Sequence, residues 1–443
     1  MLDLTHPVRL GILKERPFLT GALSCTYTSL VCNANLMMSF GGGVASLLQQ
    51  VVGNNGTVSG FLVDPITHSL CVDRRAISND DGAVKSGLDK LFRAYGLGDS
   101  EIAALPLSPH RAAEVLDEEF VGAVLSFQRT RVRDLASGDE EYVAFAEAGS
   151  RRLGAFAPGV LIAPYLYVDD GPDAELQLRT NRRLFEVARA LEPDVAAYVA
   201  IHKALVDNAD FRRSISDQLT ETKPSLVLLW VTRLDEHRGL GSEFRATRDL
   251  MLRLARAGLR VVRLYGSFFT YTLCEPGLLG VAHGPGYGEE RNEVPVGGGL
   301  PRPKFYMPVL HRRVDFQDAL LYVTREVRTV EEYFERVCKC PQCRETLGSD
   351  LRNFELYGEL RTTRKVAYDP VTKVGEEREI EYASPEALER ATKHYMWCKF
   401  QEINLVRKLG RSEVQAMLRR DLNSLDGTIL ADKAQHLAIW AED

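Results

Sequence analysis

Between Val58 and Ala282 two patterns of apolar and polar positions take turns along the chain. Short apolar runs rich in β-branched residues recur at Val58–Val63, Val121–Phe127, Val160–Val168, Val195–Ile201, Ser225–Val231, Arg260–Tyr265 and Leu278–Ala282. They are nearly continuous rather than alternating, as strands covered on both faces must be. Most are separated by segments with apolar residues three and four apart, such as Leu178–Leu191, Phe211–Leu219 and Glu243–Ala257. Those read as helices with one buried stripe. With Ser24–Cys32 as the first strand, eight strands and their helices fit in about 280 residues, the size of a (β/α)8 barrel. An open doubly wound sheet is the alternative, but no Gly-x-Gly-x-x-Gly follows an early strand. The predicted class is therefore α/β: a TIM-like (β/α)8 barrel over residues 1–300 with a C-terminal zinc-binding subdomain over 301–443.

The flanks are less regular. Residues 1–56 contain the Ser24 run and a Gly41-Gly42-Gly43 triplet opening a helical stretch to Val52. Without a following Lys-Ser/Thr the triplet reads as a turn rather than a phosphate cradle. Past the eighth strand, Glu293–Pro303 is a Gly/Pro-rich loop. Phe305–Leu310 and Leu320–Val323 read as short strands and Val330–Val337 as a helix. Arg361–Tyr382 alternates apolar and polar around Asp369-Pro370, a β-hairpin pattern. Ser384-Pro385-Glu386-Ala387 is a helix start.

Composition narrows the class. The 443 residues are 45% hydrophobic and 26% charged, enough for a sizeable core. No apolar run reaches membrane-spanning length, and the N-terminus lacks a signal-peptide pattern. A net charge of −6 argues against a wholly basic nucleic-acid binder. From Glu386 to Arg420, however, eight Lys/Arg face four Glu, a local balance of +4. Eight cysteines in so long a chain are not a disulfide scaffold, so a reducing, cytoplasmic setting is expected.

Three of those cysteines crowd into Cys338-Lys339-Cys340-Pro341-Gln342-Cys343, and His394 follows 51 residues after Cys343. Three soft thiolates and an imidazole make a closed tetrahedral zinc site, structural because no position is left for chemistry. Cys398 competes with His394 for the fourth place, being one helical turn on.

In a barrel, chemistry sits at the C-terminal ends of the strands. Those ends carry Asp64 and His68, Tyr165 and Tyr167, His202, and the segment His283 to Arg291 with Tyr287 and Glu289. Asp169, Asp170 and Asp235 read equally well as site groups and as helix caps or rim charges. Asp64 stands out, since Asp-Pro after Phe-Leu-Val leaves a carboxylate at the mouth that no helix start obviously needs.

A barrel followed by Cys-x-Cys-x-x-Cys and a helical histidine resembles the tRNA-guanine transglycosylase family, which exchanges guanine in nucleic acid for a 7-deazaguanine base. The resemblance runs from Val58 to Leu409. It is specific at Cys338, Cys340 and Cys343; Leu178–Leu191 and Phe211-Arg212-Arg213 are similar to the family's helices after strands four and five. It implies a structural Zn2+, a tRNA or DNA substrate, a 7-deazaguanine-type base, and a homodimer or heterodimer formed through the zinc region. The family uses two aspartates, one as covalent nucleophile and one for proton handling. Its Thr-Asp-Ser-Gly-Gly stands here as Val63-Asp64-Pro65-Ile66-Thr67, with the Asp kept. Its strand-eight nucleophile has no counterpart in Gly280-Val281-Ala282-His283-Gly284. The family's loop after strand six is replaced by Trp230-Val231-Thr232-Arg233-Leu234-Asp235-Glu236.

Three functions compete. The first is glycosidic chemistry on a flipped-out purine nucleotide, with Asp64, His283 and Glu289 as catalytic groups and His68, Tyr165, Tyr167, His202 and Tyr287 as substrate contacts. The second is a catalytically inactive partner subunit of such an enzyme. The third is an unrelated barrel enzyme holding a catalytic metal on His68, His202, His283 and Asp64.

Overall fold

The computed structural model describes residues 2–54, 58–79, 82–137, 157–286, 289–294, 302–368 and 375–442. The chain divides into two compact units, Met1–Pro295 and Val296–Asp443.

The first unit is mixed α/β with two parallel sheets. One holds β1 (Pro7–Leu10), β2 (Ser29–Asn33) and β3 (Phe61–Asp64). The other runs β4 (Tyr167–Val168), β5 (Ala197–His202), β6 (Val227–Thr232), β7 (Val261–Leu264) and β8 (Leu278–Ala282). The two edge strands of the smaller sheet, β1 and β3, each make a further backbone hydrogen bond outside it. Arg9 N donates to His283 O at 2.8 Å, and Gly159 N donates to Phe61 O at 2.9 Å. Helices Ala174–Leu191, Ala209–Thr222 and Gly241–Arg256 lie between successive strands of the larger sheet, each presenting its apolar stripe to the interior. Every residue of β6 is buried, as its unbroken Val-Leu-Leu-Trp-Val-Thr run requires.

Two expected strands are helices. Val121–Phe127 lies inside the helix Glu118–Ser137, and Leu320–Val323 inside Phe316–Glu326. Both carry helical spacing under their apolar content. Phe120, Val121, Val124, Leu125 and Gln128 are buried, as are Phe316, Ala319, Tyr322 and Val323. A short apolar run cannot by itself distinguish the two periods, and helical length decided here. The strand β1, Pro7-Val8-Arg9-Leu10, is too short an apolar run around a charge to mark itself in the sequence. The Ser24–Cys32 run begins with a 3-10 segment, Gly21–Thr26, and becomes strand only at Ser29.

The second unit pairs β9 (Lys304–Met307) with β10 (Arg312–Asp315), and β11 (Leu360–Tyr368) with β12 (Gly375–Ala383), both antiparallel. The turn at Asp369-Pro370 lies outside the described residues. The long helix Pro385–Val406 begins where Ser384 caps it, its hydroxyl accepting from Ala387 N, with Pro385 in the first turn.

Gln128 fixes the helix Glu118–Ser137 to the segment leading into β4. Its amide donates to Ile162 O at 2.7 Å, and its carbonyl accepts from Ile162 N at 2.9 Å. Replacing it with leucine strands both backbone groups in the core, so Gln128→Leu is expected to lower the unfolding free energy by about 2–4 kcal/mol. Denaturant melts of the two proteins measure this, and a change near zero removes the clamp from the account.

Candidate functional site

The register of the sheets decides which predicted residues meet. Laterally paired residues share a face, and neighbours along a strand point oppositely. Arg9 pairs with Val31, Val31 with Leu62, and Asn33 with Asp64, which puts Arg9, Asn33 and Asp64 on one face. In the larger sheet Tyr167 pairs with Ala200, Ala200 with Trp230 and His202 with Thr232, so Tyr167, Tyr198, His202 and Trp230 also share a face.

The two faces meet at Asp64, whose side chain is 0% exposed. Its Oδ1 accepts from the Tyr165 hydroxyl at 2.8 Å and from Ile66 N at 2.9 Å. Its Oδ2 faces both terminal nitrogens of Arg9 at 3.4 Å and the Tyr198 hydroxyl at 3.5 Å. The carboxylate expected to stand free at the mouth is therefore fully engaged. It closes an Asx-type turn that lets Ile66 adopt φ 49, and it neutralises a buried guanidinium. Arg9 also donates to Asn33 Oδ1 at 2.7 Å and lies 4.0 Å from the centre of the Tyr265 ring.

His68 extends this network. Its Nδ1 is 2.9 Å from the Tyr165 hydroxyl. That hydroxyl has one proton, which goes to Asp64, so His68 must donate through Nδ1 and keeps its Nε2 lone pair. Burial pushes the His68 pKa down to about 3, which makes the neutral ring the folded form. Around it Tyr165 stacks on Tyr198 at 3.7 Å between ring centres, and Trp230 meets His68 edge-on at 5.2 Å. Arg291 covers Trp230 at 5.5 Å and Tyr265 at 5.2 Å.

The remaining predicted residues are placed elsewhere. Tyr167 bonds Thr232 Oγ1 at 3.1 Å, and His202 caps the short helix after β5 by accepting from Ala204 N at 3.2 Å. Glu289 faces His237 at 3.7 Å. Tyr287 lies outside the described residues. His283 is a correction: it pairs with Val8, so it occupies the face opposite Arg9 and Asp64, where its Nε2 meets His6 Nε2 at 2.8 Å. Arg9, Tyr198, Trp230, Tyr265 and Arg291 were missed. Arg9 did carry a signal, because one charge inside a four-residue apolar strand demands a buried counter-ion.

The second candidate site lies wholly within the second unit. Cys338, Cys340, His394 and Cys398 form a buried cluster that can hold a metal ion. His394 Nδ1 is 3.4 Å from Cys340 Sγ, 3.3 Å from Cys343 Sγ and 3.5 Å from Cys398 Sγ, and the Cys338 and Cys398 sulfurs are 3.6 Å apart. An ion with zinc-like bonds sets tetrahedral edges of about 3.5 Å for N–S and about 3.8 Å for S–S, so these donors fit one without rearrangement. His394 Nε2 donates to Tyr306 O at 2.7 Å, which fixes the tautomer and turns the Nδ1 lone pair toward the thiols. The knuckle orients the sulfurs through its own amides: Cys340 N donates to Cys338 Sγ and Cys343 N to Cys340 Sγ, each at 3.4 Å. The last contact makes Cys340 the N-cap of helix Pro341–Leu347. Cys398 belongs to this cluster as much as the motif cysteines do.

Comparison with protein-family models, with curated proteins and with solved structures gives no match. Among the described residues, no helix is long and apolar enough to cross a membrane.

Two measurements follow. The folded-state His68 pKa lies far below its unfolded value near 6.5, so protonation favours unfolding. Stability from this group is whole above about pH 6.5 and falls as pH drops toward 3, at up to about 1.4 kcal/mol per pH unit. His68→Gln should flatten that part of the stability–pH curve; an unchanged slope places the titration elsewhere. Chelation of bound metal, or Cys340→Ser, should lower the melting temperature of the second unit by about 10 °C or more. Calorimetry with metal analysis of the same samples checks this, and equal melting with and without metal refutes it.

Proposed function

We propose that this chain is a transglycosylase-like protein acting at the glycosidic bond of a guanine or 7-deazaguanine nucleotide in tRNA or DNA. The observation that carries this reading is the donor cluster formed by Cys-x-Cys-x-x-Cys and a helical histidine, following a parallel α/β unit with an aspartate at a strand end. In this reading the first unit is a (β/α)8 barrel. Support comes from the parallel order of its strands and from the Arg9–His283 hydrogen bond, which joins β1 to the end of β8. The metal is Zn2+, held structurally. It supplies no step of the reaction and serves to fix the knuckle against the helix Pro385–Val406, whose basic side chains would meet phosphates.

Within the first unit the chemistry falls to Asp64, Tyr165 and His68. Asp64 is the fixed anion, and Tyr165 passes its polarisation to His68, whose neutral ring can accept a hydrogen bond at Nε2 from a base or water and orient it. Attack by Asp64 on C1′ would require Arg9 and Tyr165 to release it first, so its role here is orientation and proton handling. Trp230, Tyr165 and Tyr198 are buried, with Tyr165 stacked on Tyr198, so a purine would stack there only after these rings part.

One observation favours the second reading, a non-catalytic partner barrel. Both Asp64 oxygens are engaged, and the strand-eight position where the family keeps its nucleophile carries His283 on the opposite face. Incubation of the full chain with tRNA and, separately, duplex DNA labelled at guanine decides between them. Release or exchange that drops by about 10²-fold or more in His68→Ala, with the fold intact, establishes the enzyme, and the preferred polymer names the substrate. No release from either polymer by protein holding its metal establishes the partner reading.

A further inference from the structure

The thiol cluster contains one more soft donor than a tetrahedral ion uses. Cys338, Cys340, Cys343, Cys398 and His394 converge there, and a closed zinc-type centre takes four. The five are not equally enclosed. Cys343 is 0% exposed, with the Tyr333 and Tyr357 hydroxyls 3.3 Å and 3.4 Å from its sulfur. Cys338 and Cys398 are 6% and 2% exposed, and Cys398 lines an open cavity of about 450 Å³ together with His311, Arg336, Val337, Glu402 and Met417. Its sulfur stands 3.6 Å from that of Cys338. A closure of about 1.6 Å would bring the pair to disulfide length.

We propose that Cys398 is an oxidation-sensitive thiol through which a peroxide-class oxidant releases the metal. The proposal rests on the metal reading of the cluster given above. Peroxide enters the cavity, and the Cys398 thiolate attacks its terminal oxygen. The O–O bond breaks, hydroxide leaves, and Cys398 becomes a sulfenic acid. The Cys338 thiolate then attacks the sulfenic sulfur, forming the S–S bond as hydroxide departs and is protonated to water. The two sulfurs together give up two electrons, and the peroxide takes them. What remains for the ion is Cys340, Cys343 and His394, one short of a closed tetrahedron, whichever four held it before. A dithiol reductant reverses the bond and restores the site. The surplus thiol thus makes a structural centre conditional on redox state, something a knuckle with four donors and no cavity beside it does not offer.

The test uses the full chain loaded with Zn2+ and graded hydrogen peroxide. Released zinc is followed with a chromogenic chelator, and the cross-link by peptide mass mapping. Wild type is expected to lose zinc in step with a Cys338–Cys398 disulfide and to regain it after reduction. Cys398→Ser should release zinc about tenfold more slowly, because the attacking thiolate is gone. Equal release in wild type and Cys398→Ser overturns the proposal, as does a disulfide that maps to Cys340 or Cys343. If Cys398→Ser does not load zinc, the wild-type map alone decides, and absence of the 338–398 link is the refuting result. Metal content before oxidant tests the metal reading separately.

Discussion

A single buried carboxylate organises the first unit. Asp64 is out of water, and an ion there persists only if charge and hydrogen bonds replace its lost hydration. Arg9 supplies the charge from β1, Ile66 N a donor from the turn after β3, and Tyr165 and Tyr198 hydroxyls from beside and within the other sheet. Each partner comes from a different stretch of chain, so meeting Asp64's demand ties both parallel sheets to one point. Losing a partner leaves a charge unpaired rather than one contact fewer, which is why the aromatic shell around it packs so closely.

The second unit solves the same problem with softer chemistry. Its antiparallel pairs have two strands each, and two-stranded ribbons are marginal in water. The thiol and imidazole donors cross-link the knuckle to the helix Pro385–Val406, and Tyr306 of β9 holds His394 in the required tautomer. Next to this, His311 lies between Glu402 at 2.7 Å and Asp421 at 3.2 Å, joining the β9–β10 turn to two helices. Burial opposes its protonation, but the flanking carboxylates prevail and raise its pKa.

These two centres bear on function differently. The donor cluster has the closed form of a structural site. The Asp64 network is a buried polar cluster at the ends of parallel strands, where Asp64, Tyr165 and His68 are joined by hydrogen bonds, and the proposed chemistry is placed there. Yet its carboxylate is held too firmly to act as a nucleophile unaided, and that restraint shapes the proposed roles.

What the sequence determined by itself was whatever depends on neighbours along the chain. Nearly continuous apolar runs marked β5, β6, β7 and β8, helical spacing marked Ala174–Leu191 and Gly241–Arg256, and the spacing of Cys338, Cys340 and Cys343 marked a metal knuckle. Alternation also marked the hairpin of β11 and β12. Short runs misled where length rather than period decides, as at Val121–Phe127 and Leu320–Val323. Only the tertiary structure decided what depends on register and on lateral pairing. Pairing with Val8 turns His283 away from Asp64, and Arg9 emerges as the counter-ion 55 residues upstream. One helical turn carries Cys398 in beside His394, and its partner Cys338 lies 60 residues away. A side chain's chemistry is written in its own residue, but which face it occupies and what meets it there are set by hydrogen bonds between distant strands.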